Sequence, residues 1–130
     1  MNLFQIIKNC YKKTADFKGR SKRSEYWTFI IFVYSIYIGS FMLVFVNDGF
    51  IFFAIIWGLF NAITCLSLTI RRLHDLNLSG WFLLIPMLIS GIGSAAGSQS
   101  ISVIVFIGMK ILYMFPGFKG KNKYGPDLKN

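Results

Sequence analysis

Arg71-Arg72-Leu73-His74-Asp75, followed closely by Ser79-Gly80-Trp81, gathers side chains capable of chemistry into one short stretch. It holds the only histidine of the chain. On a helix, positions 71, 74 and 75 stand at i, i+3 and i+4 and share a face, with Arg72 offset by about 100°. Three chemistries fit this pattern. The groups could satisfy one another and a helix end, where cations are favoured. The arginines could grip a carboxylate or phosphate through their fork of donors. His74 and Asp75 could act as a base and its orienter, or as two metal ligands. One histidine and scattered acids fall short of a metal shell, and no serine or cysteine nucleophile is placed beside His74. The pattern therefore assigns no catalytic residue, no metal and no cofactor. It favours a structural tie first and an anion grip second.

The elements around this stretch decide its setting. Of 130 residues, 55% are hydrophobic and only 15% charged, with a mean hydropathy of +0.56. Soluble chains carry roughly 25% charged residues. Between positions 26 and 70 the single charge is Asp48, and a small soluble core cannot hide so much apolar surface. The natural solvent of these segments is lipid. The expected fold is all-α: a polytopic transmembrane protein of four membrane helices, the last two short, plus an N-terminal interfacial amphipathic helix.

As one membrane domain over 1–130, the expected parts follow from local chemistry. Residues 2–14 form the amphipathic helix, with Leu3, Phe4, Ile7, Tyr11 and Thr14 on one stripe and Lys8, Lys12 and Lys13 away from its centre. Such a helix could lie in the membrane interface, apolar face down and lysines towards the headgroups, or pack on the protein's own cytoplasmic face. Residues 27–46 and 50–70 are charge-free apart from their termini's surroundings and each is about 30 Å long as a helix, enough to cross a bilayer. The turn between them, Asn47-Asp48-Gly49, makes them a hairpin. Ala54, Gly58 and Ala62 recur every four residues and, with Asn61, read as a helix-packing stripe. Residues 71–80 form a polar hinge, 81–92 and 101–115 two short helices joined by a Gly/Ser turn, and 116–130 a basic tail.

Basic residues concentrate before position 24, at the hinge and in the tail. The excess of positive charge near membrane segments places these parts, and the N-terminus, in the cytoplasm. The tail then needs an even number of crossings. The formal charge of +9 invites anionic lipid headgroups as partners and not nucleic acid, because the basic residues flank apolar spans and no groove-reading motif is present. The small-residue stripe allows a homo-oligomer or another membrane protein as partner. Cys10 and Cys65 lie in unlike settings and build neither a disulfide framework nor a zinc site.

Three polar clusters now stand in order: Gly19-Arg20 with Arg23 and Glu25-Tyr26-Trp27; Arg71 to Asp75 with Ser79-Gly80-Trp81; and Pro116-Gly117 with Gly120, Asn122, Tyr124-Gly125 and Asp127. In that order and framing the chain resembles the family called domain of unknown function 805, over roughly residues 10 to 128. The resemblance implies a helical protein of the bacterial inner membrane and implies no reaction, substrate or cofactor. Two features depart from the pattern: a long stretch between Trp81 and Pro116, and Pro126-Asp127 in place of Asp-Pro.

The expected site is a structural or anion-binding cluster of Arg20, Arg23, Glu25, Arg71, Arg72, His74, Asp75 and Tyr124. At least one arginine should pair with Glu25 or Asp75, and Tyr124 should pack against residues 71–81. The expected function is binding, scaffolding or membrane maintenance. The alternatives are a small transporter or channel subunit, or a membrane-bound enzyme using His74 and Asp75.

Overall fold

The computed structural model describes residues 2–128; Lys129, one of the tail's expected basic residues, lies outside them. The described residues form helices and connecting turns, with no strand beyond a single bridge between Asn122 and Gly125. Five α-helices follow in order among them: α1 (Leu3–Lys12), α2 (Arg23–Val44), α3 (Phe50–Asp75), α4 (Leu84–Ala95) and α5 (Gln99–Met114). A 3-10 turn, Gly80–Leu83, leads into α4.

α2 and α3 are 22 and 26 residues long with mean hydropathies of 1.9 and 2.1, long and apolar enough to cross a membrane. Only 22% and 28% of their apolar windows are buried by the rest of the protein. A helix in the core of a soluble protein would be mostly covered; these present Ile31, Phe41, Phe52, Ile56 and Phe60 outward instead. That is the surface of a helical membrane protein, in which lipid solvates the outside. The hydroxyls of Ser35, Ser40 and Thr69 bond to carbonyls one turn back, of Ile31, Ile36 and Cys65, so these three donors are not left bare in an apolar setting.

The chain divides into two compact units, one comprising residues up to Phe17 together with Ser24–Thr69, the other Lys18–Arg23 together with Ile70 onward. In the first unit α1 is tied to a polar stripe on α3. The Tyr11 hydroxyl donates to Asn61 Oδ1 at 2.7 Å, and Asn61 donates in turn to the Trp57 carbonyl at 2.9 Å. Thr14 and Thr64 share a hydroxyl hydrogen bond of 2.9 Å. The α1 residues that are buried are Ile6 and Cys10, whereas Leu3 and Phe4 stay exposed. The docked face thus keeps Tyr11 and Thr14 of the expected stripe and takes in Ile6 and Cys10 in place of Leu3 and Phe4.

In the second unit α4 and α5 form a hairpin. Gly93 is buried, and a Cβ there would lie 2.8 Å from two side-chain carbons of Ile101, so the glycine sets the approach of the two helices. Ser102 reinforces it, contacting the Ser94 hydroxyl at 3.2 Å and donating to the Ser90 carbonyl at 3.3 Å. Pro86 falls in the first turn of α4, where its missing N–H has no helical acceptor to lose.

Element boundaries differ from the sequence expectation in an informative way. α2 begins at Arg23, before the charge-free run, and α3 carries on through the first half of the hinge to Asp75. It stops in a Schellman motif: Asn77 takes φ +62°, Leu78 N–H reaches the Leu73 carbonyl at 2.9 Å, and Asn77 N–H reaches the His74 carbonyl at 3.0 Å. The hinge is therefore a helix end with an asparagine stop.

Candidate functional site

The last turn of α3, the segment 18–23, the end of α5 and the tail meet in the second unit around one carboxylate. Asp75 is completely buried. Its Oδ1 accepts from Arg20 Nε at 2.8 Å, and its Oδ2 accepts from Arg72 Nη1. The two oxygens of one acid are shared between two guanidinium groups, both of which are also buried. A buried charge without partners is costly, so the remaining donors must find acceptors.

They find backbone carbonyls. Arg20 donates through Nη1 to Gly120 O at 2.8 Å and Pro126 O at 3.1 Å, and through Nη2 to Phe118 O at 2.5 Å. Arg72 donates through Nε to Tyr113 O at 3.2 Å, through Nη1 to Ser21 O at 3.4 Å and through Nη2 to Phe115 O. Tyr113 and Phe115 lie at the C-terminal end of α5, where carbonyls lack helical partners and the dipole favours a cation. Arg72 therefore caps α5 from another helix. Arg20 holds the tail in an arc, and Phe118 N–H closes it by donating to the Asp75 carbonyl at 2.7 Å.

The tail comes this close because of Gly117. A Cβ built on it would overlap the Asp75 carboxylate itself, so any side chain there would expel the acid or the tail. The tail is further fixed by Asn122 Nδ2, which donates to the His74 carbonyl at 2.9 Å, and by Asp127, which accepts from Gly120 N–H at 2.9 Å.

His74 sits in the same turn. Its ring lies flat on that of Tyr124, centroids 3.8 Å apart and planes 4° from parallel. Nδ1 lies 3.1 Å from the Gly19 carbonyl, which can only accept, so the network places the proton on Nδ1. Burial pushes the imidazole pKa below its usual value, opposed by the Gly19 hydrogen bond and aided by the charge of Lys123. His74 is thus a neutral, stacked ring near pH 7. Asp75 gives both oxygens to guanidinium groups and His74 is held by Gly19, so the acid does not orient the imidazole as a catalytic pair would require.

The remaining expected residues are placed as follows. Arg71 is buried, its carbonyl accepting from Ser21 N–H at 3.1 Å, while its Nε and Nη2 have no hydrogen-bond partner among the described residues. Arg23 stands exposed at the start of α2, and Glu25 is half-buried in the first turn of that helix. In the first unit Ala54 and Asn61 are buried and Gly58 faces Tyr37, where a Cβ would make a 3.8 Å contact. Ala62 is exposed and lines, with Tyr34, Tyr37 and Cys65, a cleft of about 220 Å³. No group of three or more metal-ligating side chains gathers among the described residues.

Sequence reasoning missed Ser21, Gly117, Asn122 and the carbonyls of residues 113 to 126. Gly117 and Asn122 carried a signal, as members of the third polar cluster. Backbone acceptors have no signature of their own.

The chain is similar to known proteins over most of its length. A family model described as "Protein of unknown function (DUF805)" matches residues 14–126. Inner membrane protein YhaH of Escherichia coli K12 is 30% identical over 126 residues, covering 91% of each chain. Inner membrane protein YhaI of the same organism is 30% identical over 124 residues, covering 91% of this chain and 90% of its own. No solved structure matches. The matched region runs from the end of α1 to the tail segment that Arg20 holds, and the chain belongs to the DUF805 family.

Proposed function

We propose that this protein is a multi-pass component of the bacterial inner membrane, with a cytoplasmic N-terminus, that binds and organises at the membrane face and does not catalyse. The Arg20–Asp75–Arg72 cluster ties that face together, and the basic residues around it hold anionic lipid headgroups. One observation carries the reading: the donors of Arg20 and Arg72 and both oxygens of Asp75 are engaged within the chain. Such a cluster has structure as its task.

The crossing number fits. Arg20, the end of α3 and the tail meet in one place, which supports two crossings between Arg20 and Asp75 and an even number between Asp75 and the tail. α4 and α5, a tight hairpin of 12 and 16 residues, supply that return. The exposed lysines 8, 12, 13, 18, 119, 121 and 123 flank these spans, and such charge is attracted to the anionic cytoplasmic leaflet. The names of the two relatives agree with an inner-membrane location.

The test compares nanodiscs of phosphatidylglycerol with nanodiscs of phosphatidylcholine. Anionic discs should raise the thermal stability of the protein, and the gain should shrink as salt rises. Equal stability in both lipids would overturn the lipid-binding part. An impermeant thiol reagent on single cysteines introduced at positions 2 and 128 should label neither in intact cells; labelling of either would overturn the topology.

A further inference from the structure

We infer that Arg71 is the receptor for one phosphate group, at a site of its own beside the Asp75 cluster. The inference rests on the headgroup-binding reading above and assigns it a residue and a ligand class.

Three arginines are buried here, and two are saturated. Arg20 and Arg72 each donate to Asp75 and to three backbone carbonyls. Arg71 is 2% exposed, and its Nε and Nη2 are enclosed by the protein yet have no acceptor among the described residues. A guanidinium cannot escape this by losing its proton, because its pKa is too high. It therefore needs an oxygen acceptor.

The two orphan atoms narrow the choice. Nε and Nη2 lie on the same edge of the guanidinium, with their N–H bonds roughly parallel. That edge takes two oxygens of one carboxylate or phosphate. Asp75, the acid one turn away, has both oxygens engaged elsewhere. Charge points the same way: Arg20 and Arg72 against Asp75 leave +1, and Arg71 makes +2. Neutral His74 adds nothing near pH 7. The segment whose Ser21 N–H bonds the Arg71 carbonyl also carries Lys18 and Lys22. The site is thus a fork of donors in a cationic, low-dielectric setting, where a phosphate is bound more strongly than in water. The phosphate could belong to a phospholipid headgroup or be free in solution.

Two arms of one experiment separate these sources, using the full chain purified in neutral detergent. The first measures phospholipid retained per chain by native mass spectrometry. The second strips lipid and reads the thermal shift on adding inorganic phosphate. Retention of about one phospholipid assigns the site to a headgroup, and a saturable shift with phosphate alone assigns it to the free ion; either supports the proposal if Arg71→Lys weakens binding at least about tenfold, because lysine keeps the charge and loses the fork. Arg71→Gln should do the same, and if it fails to fold, Arg71→Lys decides. No phosphate-bearing ligand in either arm, or wild-type binding by Arg71→Lys, overturns the site. If phosphatidylglycerol discs still stabilise the protein in that event, the broader lipid reading stands and only this site falls; if they do not, both fall.

Discussion

Gly117 and Asp75 are 42 positions apart, and a methyl group on the first would overlap the carboxylate of the second. The glycine is therefore a condition of the charge cluster, since the tail carbonyls that accept from Arg20 arrive only if the chain passes flush against Asp75. Gly117→Ala should cost about 1–3 kcal/mol through overpacking and more if the acid is displaced. Limited trypsin digestion checks this: cleavage after Lys119, Lys121 and Lys123 should become fast in the variant while α2 and α3 stay intact.

Asp75→Asn keeps the shape of the cluster and removes its only negative charge. Two buried guanidinium groups then face each other without a counter-ion. Breaking such a network by removing one partner costs on the order of 3–5 kcal/mol. Thermal unfolding followed by circular dichroism should show a large drop. Arg20→Met combined with Asp75→Asn should lose less than the sum of the single changes, because the residues act as one network. Additive losses would mean that the ion pair is incidental.

The His74 ring supplies a pH dependence whose sign is fixed. Its folded pKa lies below the usual value of about 6.5, so the unfolded or undocked state takes up the proton first as pH falls. The contribution of His74 is complete above about pH 6.5 and is lost progressively below it. Tryptic release of the tail should be faster at pH 5.5 than at pH 7.5 in the wild type. His74→Gln should flatten that difference, and a wild type with no pH dependence in this window would contradict the buried neutral ring.

The α4–α5 hairpin depends on Gly93. Gly93→Val places branched carbons against Ile101, where a bare Cβ is already at 2.8 Å. Separation of the helices should cost about 1–3 kcal/mol. Ser102→Ala removes only the hydroxyl bonds to Ser90 and Ser94 and should cost about 1 kcal/mol or less. Cysteine cross-linking between the two helices reports the difference: it should fall in Gly93→Val and persist in Ser102→Ala.

Much of the architecture could be read from residues, because apolar length and charge placement are set locally. The 45 positions from 26 to 70 with one charge could be little other than a helical hairpin. Tyr124 lies on His74, within the 71–81 stretch named for it. The partition of the arginines could not be read. Helix spacing puts Asp75 on the face of Arg71, yet the acid takes Arg72 at i−3 and Arg20 from 55 positions upstream. Most of what Arg20 and Arg72 hold is backbone carbonyl, which every residue possesses and no pattern marks. The docked face of α1 was legible in part: Tyr11 and Thr14 stand on the expected stripe, whereas the burial of Ile6 and Cys10 over Leu3 and Phe4 has no mark in residue type.

Arg20 holds carbonyls 100 and 106 residues further along the chain. Synthesis runs from the N-terminus, so Arg20 and Asp75 exist as an incomplete cluster while every later residue is still being made. The cluster closes only once residue 126 has emerged and the tail has reached Arg20. A chain that stalls before that point is left with the donors of Arg20 open. The same contacts that hold the finished protein together are therefore among the last to form, and an open Arg20 marks a chain whose tail has not yet arrived.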